Sequence, residues 1–225
     1  MLIANKSKFF EIIFSLYNRN LIKRRFHSLQ ISGLDFLFDK HLKIPLIIYC
    51  NHSSWWDGLV AFQISYEANL DSYLMMEEKQ LEKLFLFRKV GAFSIVREKP
   101  RQAIESINYA SKLLIANSQK TLWIFPQGEI LPNDSRPIYL FNGLSRIIEK
   151  VAQCLVIPLV IRYEFLGKFK PQIFVKIGEP KLIFVDLNFN AKDLTERLTI
   201  YLTRTLDELK KDVLNHNTER YKSII

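Results

Sequence analysis

Five short apolar runs, at residues 46–50, 72–76, 92–96, 121–125 and 154–163, recur along the chain with segments of helical period between them. Parallel strands need a crossover of a dozen or more residues, and a helix supplies it. The alternation therefore restricts the chain to an α/β fold with a mainly parallel central sheet flanked by helices. The expected helices are 58–68, 77–88, 100–117 and 139–152, with Pro100 at the first turn of the third. A last helix at 191–215 carries Leu194, Leu198, Leu202, Leu206, Leu209 and Val213 along one stripe. Two more strands are expected, at 30–38 with Gly33 inside it and at 172–177. There is no repeat, low-complexity stretch or linker, so residues 1–225 read as one domain: an N-terminal helix to residue 25, a core over 30–180 and the C-terminal helix.

The exit of the 46–50 strand carries Asn51-His52-Ser53-Ser54-Trp55-Trp56-Asp57. In open α/β sheets, ligands bind at the carboxyl ends of strands. Were all of 52–57 helical, His52 and Asp57 would lie about 140° apart around the axis and could not touch. A helix starting at Ser54 leaves His52 in the preceding loop, and Asp57 can then reach back to it. The pair would be a base and the group that orients it, with Asp57 on one ring nitrogen and the other left to take a proton. Ser54 and Asp57 also match a capping box, and one side chain can serve both purposes. Trp55 and Trp56 read equally as core packing or as a wall and interface anchor.

The formal net charge of +9 points to an anionic partner, either nucleic acid or a membrane surface. No basic helix with interleaved aromatics and no recognition motif accompanies it, so nucleic acid is not expected. Phe9, Phe10, Ile12, Ile13, Phe14, Leu16 and Tyr17 make the helix expected over 2–25 more apolar than a core stripe requires, and Lys23, Arg24 and Arg25 close it. Such a helix suits a membrane interface lined by anionic lipids. No stretch approaches the ~20 apolar residues of a span, and residues 1–25 lack a signal-peptide pattern. The expected location is peripheral or monotopic, on the cytoplasmic face of the cell membrane. Cys50 and Cys154 sit in apolar runs and read as buried thiols, and no zinc-type spacing occurs.

Other strand ends carry notable residues in turn. Gly91-Ala-Phe93-Ser-Ile95-Val-Arg97, Phe125-Pro126-Gln127-Gly128 and Val156-Ile157-Pro158-Leu159 follow the His52/Asp57 stretch in that order. Taken alone, Arg97 reads as a partner for Glu98 or Glu105, and Gly128 as a turn needing unusual backbone angles. Together with His52-x4-Asp57, the blocks resemble those of the glycerolipid acyltransferases, which include 1-acylglycerol-3-phosphate acyltransferase. The resemblance spans about residues 30–180.

The resemblance implies that His52 and Asp57 are catalytic. His52 deprotonates a lipid hydroxyl, which attacks the thioester of an acyl-CoA or acyl-carrier protein. No acyl-enzyme, metal or other cofactor is needed. Arg97, Phe125, Pro126, Gln127 and Gly128 would bind the acceptor. Gln127 stands where the family usually has Glu, and Ile130 where it usually has Arg, with Arg136 in the following loop as a replacement cation. These departures leave two acceptors open, a 1-acylglycerol-3-phosphate-type lysophospholipid or a non-phosphate lipid such as a glycolipid or amino-acid lipid. A non-catalytic lipid-binding relative is a further alternative, against which retention of both His52 and Asp57 argues.

Overall fold

The computed structural model describes residues 1–38 and 44–225. The elements of its first half are α1 (Lys8–Arg25), β1 (Ser28–Ser32), β2 (Leu46–Cys50), α2 (Asp57–Glu67), β3 (Asp71–Glu77), α3 (Glu78–Lys83), β4 (Ala92–Ile95) and α4 (Pro100–Ala116). The second half adds β5 (Lys120–Ile124), α5 (Gly143–Val151), β6 (Gln153–Glu164), β7 (Gln172–Ile177), β8 (Lys181–Phe184), α6 (Ala191–Leu214) and β9 (Lys222–Ser223). The strands form one sheet in the order β4-β3-β5-β2-β6-β7-β1-β9, with β8 paired to β6. Strands β4, β3, β5, β2 and β6 run parallel to one another. The antiparallel pairs are β6–β7, β6–β8 and β1–β9.

Strand β2 is apolar on both faces because helices cover both. Ile47 and Tyr49 join the core shared with α4, α5 and α6. Ile48 and Cys50 join the core shared with α1 and α2, which also holds Val60, Ile64 and Trp123. The period-2 alternation of the pleat thus divides one apolar run between two layers.

Helix α1 is built unlike the others. Its inward face buries Ser15 and Asn18 beside Phe14 and Ile22. The Asn18 amide donates to Leu59 O and to Gln63 Oε1 on α2. Its outward face exposes Phe9, Ile12, Ile13, Leu16 and Tyr17. No helix among the described residues is long and apolar enough to cross a membrane.

Several expected boundaries move, each for a local reason. The first helix starts at Lys8 rather than residue 2, capped by Ser7, whose hydroxyl accepts from Phe10 N. Residues before it are drawn along the sheet edge, where Ser94 N donates to Leu2 O, Asn5 N to Arg88 O and Ser7 N to Lys89 O. The strand expected over 30–38 occupies 28–32 instead. Gly33 ends it at φ +78°, and a Cβ there would meet Ile177 O at 2.5 Å. Residues 34–37 then form a 3-10 turn. Helix α5 begins at Gly143 rather than 139, because Phe141 N is taken by Pro126 O. Strands β8 and β9 were not expected.

Candidate active site

The His52–Asp57 stretch is set by the way β2 ends. Asn51 continues the ladder to β6 with its side chain: its amide nitrogen donates to Ile161 O and its Oδ1 accepts from Ile161 N. The chain turns out of the sheet at His52. There the main chain is clamped from both sides, with His52 N donating to Gln127 Oε1 at 2.8 Å and His52 O accepting from Leu131 N at 2.9 Å.

Helix α2 begins at Asp57, so His52 lies outside it and the 140° separation never arises. The Asp57 carboxylate is fully buried. Its Oδ2 accepts from His52 Nδ1 at 2.8 Å, Ser53 N at 2.7 Å and Ser54 N at 2.8 Å. Its Oδ1 accepts from the Tyr163 hydroxyl at 2.6 Å. The expected capping box does not form: Asp57 N donates to Ser54 O rather than to Ser54 Oγ, which accepts from Trp56 N, and α2 starts at Asp57 with Trp56 at its N-cap and no side-chain cap bond. Of the two readings of the motif the structure keeps the orienter, whose carboxylate ties the Ser53–Ser54 turn to the imidazole.

This network fixes the imidazole tautomer. Two main-chain N–H groups can only donate to Asp57. Burial, with the adjacent Asp57 carboxylate, pushes the Tyr163 hydroxyl well above the ordinary tyrosine range, so it too remains a donor. Asp57 is thus the acceptor in each of these bonds, and Nδ1 carries the hydrogen that it donates to Oδ2. Nε2 is left with its lone pair free, and no group among the described residues bonds it. The ring lies 4.6 Å from the Phe125 ring in a stacked arrangement and lines an open cleft.

That cleft has a volume of about 1520 Å³. Arg97, Phe125, Pro126, Gly128 and Phe141 stand with His52 at one part of it, and Leu59, Phe62 and Lys6 line its continuation between α1, α2 and β3. Arg97 packs directly on Gly128: a Cβ there would come within 2.2 Å of Arg97 Nη1, and the backbone is left-handed at φ +73°. The guanidinium also sits over the Phe141 ring, 5.5 Å from its centroid. Among the described residues neither Glu98 nor Glu105 nor any other carboxylate pairs with Arg97. Glycine at 128 therefore meets two demands, an unusual φ and room for a cation.

Gln127 belongs to a different layer. It is buried, with its carbonyl oxygen on His52 N, behind the imidazole rather than in the cleft. Arg136 does not replace the missing cation, since it pairs with Asp207 and bonds the carbonyls of Asn133 and Ser135. Ile130 and Glu129 line the cleft instead. Cys50 is fully buried, and burial followed by the Asp57 charge pushes its thiol well up, which removes it as a nucleophile. Burial pushes the Cys154 thiol up to about 12. Among the described residues no three His, Cys, Asp or Glu side chains cluster as metal ligands would.

Sequence reasoning missed Asn51, Phe141 and Tyr163. Tyr163 lies 106 residues from its partner, and the only local sign was a tyrosine at the end of a buried strand that would need somewhere to place its hydroxyl.

A mainly parallel sheet thus carries a hydrogen-bonded His–Asp pair at the end of one strand and an arginine without a carboxylate partner, among the described residues, after another. A family model described as acyltransferase matches residues 24–162, more than half of the chain, including His52, Asp57, Arg97 and Gln127. The chain belongs to this acyltransferase family and is an acyltransferase enzyme. No curated protein sequence matches it.

Proposed function

We propose that the protein is an O-acyltransferase that moves a fatty acyl group from acyl-CoA or acyl-carrier protein to a lipid hydroxyl at a membrane surface. The observation that carries this reading is the 2.8 Å bond from His52 Nδ1 to Asp57, which leaves Nε2 free in a cleft shared with Arg97. His52 Nε2 takes the proton of the acceptor hydroxyl as its oxygen attacks the thioester carbonyl. Asp57 stabilises the imidazolium that forms. The tetrahedral intermediate collapses, the carbon–sulfur bond breaks, and the imidazolium returns its proton to the departing thiolate. The products are an ester and a free thiol, so the enzyme needs no covalent intermediate.

Arg97 binds an anionic group of the acceptor, and Phe141 and Gly128 hold its planar face. A 1-acylglycerol-3-phosphate-type lysophospholipid supplies that group. A second reading, an acceptor without phosphate, is favoured by one observation: Ile130 and Glu129 line the cleft while Arg136 is held elsewhere. The outward apolar face of α1 and its basic end support peripheral attachment to anionic lipid, on the cytoplasmic face of the membrane.

The test is transfer of label from radiolabelled acyl-CoA and from acyl-carrier protein to a panel of lysophospholipids, glycolipids and amino-acid lipids. Labelled ester on a lysophosphatidate-type acceptor supports the first reading. Label confined to non-phosphate acceptors supports the second. Label on none of them overturns both.

A further inference from the structure

Strand β6 outruns its neighbour at the catalytic edge. Cys50, the last residue of β2, stands opposite Leu159, yet β6 continues to Glu164. At about 3.3 Å per residue, the end of β6 projects roughly 16 Å past the end of β2. The loop to β7 carries Phe165, Gly167, Lys168, Phe169 and Lys170, with Gly167 at φ +67°. Phe165 is 69% exposed and Phe169 98% exposed. The loop is docked on the end of α1: Lys170 Nζ donates to Lys23 O and His27 N to Pro171 O. Lys168 and Lys170 of this loop thus join Lys23, Arg24 and Arg25 of the last turn of α1, and among the described residues none of the five has a carboxylate partner. The site is linked to the active centre by rings. Phe26 lies 5.0 Å from Trp56 and 5.7 Å from Tyr163, the residue that holds Asp57.

We propose that this loop tip is a second contact with an anionic bilayer, inserting Phe165 and Phe169 at headgroup level while the five cations meet lipid phosphates. The proposal rests on the membrane-surface reading of α1 and extends it to a separate element. A fully exposed phenylalanine gains only from an apolar medium, and aromatic rings flanked by Lys and Arg suit the bilayer interface. An acidic carrier protein would use the cations but not the two rings. With α1 and the tip both engaged, the catalytic edge faces the lipid.

The experiment compares sedimentation of the full-length protein with vesicles of phosphatidylcholine alone and with phosphatidylglycerol added. Three variants are set beside wild type: Phe165→Ser/Phe169→Ser in the tip, Lys168→Gln/Lys170→Gln in the tip, and Ile12→Ser/Leu16→Ser on α1. The phenylalanine variant is expected to bind both vesicles at least about tenfold more weakly. The lysine variant is expected to lose about fivefold per lysine on anionic vesicles only, with a shallower salt dependence. Both tip variants should keep wild-type turnover on a detergent-dispersed acceptor. Wild-type binding by both tip variants, with loss in the α1 variant, overturns the tip contact and leaves α1 standing. Loss of transfer from acyl-carrier protein by the lysine variant, with vesicle binding intact, assigns the cations to the carrier and overturns the proposal. Failure of the wild type to bind either vesicle overturns the tip and the α1 reading together.

Discussion

Gln127 holds the main chain of His52, and that explains why an amide can stand where relatives of this kind usually carry a carboxylate. The position needs an acceptor for one buried N–H, and either side chain provides it. Gln127→Glu is therefore expected to keep activity within a few-fold of wild type. Gln127→Leu leaves that N–H unsatisfied, which costs about 1–3 kcal/mol. In a chain of this size its melting temperature should fall by about 2–4 °C for each kcal/mol, and turnover should fall with it. Equal melting temperatures for wild type and Gln127→Leu would show that the bond does not matter. Tyr163→Phe removes one of the four donors to the buried Asp57 carboxylate and is expected to lower stability by about 1–3 kcal/mol, read by urea denaturation. An unchanged denaturation midpoint would mean that water replaces the hydroxyl at no cost. The contact of His52 with Asp57 was legible in the sequence because only four residues separate them and the local turn decides whether they meet. The bond of Gln127 to His52 N and that of Tyr163 to Asp57 were not, because the partners lie 75 and 106 residues apart and only the sheet order brings them together.

At the scale of elements, the sequence reveals buried strands better than edges. Runs such as 46–50 and 121–124 are apolar on both faces, and no other structure suits them. Strand β8 alternates between half-buried and exposed residues at the sheet margin, and its four residues carry too weak a pattern to be read. The stretch before α1 reads as helix because nothing local says that it will follow the edge of β4. The loop after β5 is held to β6 by an ion pair between Asp134 and Arg162. The hydrogen bond from Arg162, aided by Lys210, lowers the Asp134 carboxyl to about 2. A lowered folded value means that the pair stabilises the fold fully above the ordinary carboxylate range near ~4. That contribution is lost as the pH falls through about 2. Asp134 is half exposed, so the effect is small. The melting temperature of wild type should exceed that of Asp134→Asn by a constant margin above pH ~4, and the margin should close towards pH ~2. A margin that stays constant on acidification would contradict the assignment.

Across the whole molecule, the sheet order gathers residues from four separate stretches at one edge. His52 leaves β2, Arg97 follows β4, Gly128 follows β5 and Tyr163 lies in the last two residues of β6. Parallel strands make that convergence automatic, since ends of one polarity share an edge. In the proposed reaction the imidazole of His52, oriented by Asp57, removes the proton of an acceptor hydroxyl. The most direct measurement is the turnover of purified His52→Ala beside wild type, on the acceptor that the panel identifies, with the unfolding of both recorded. The substitution should lower turnover by at least about 10²–10⁴-fold while the protein still unfolds cooperatively near the wild-type temperature. Turnover equal to wild type in a folded His52→Ala protein would contradict it.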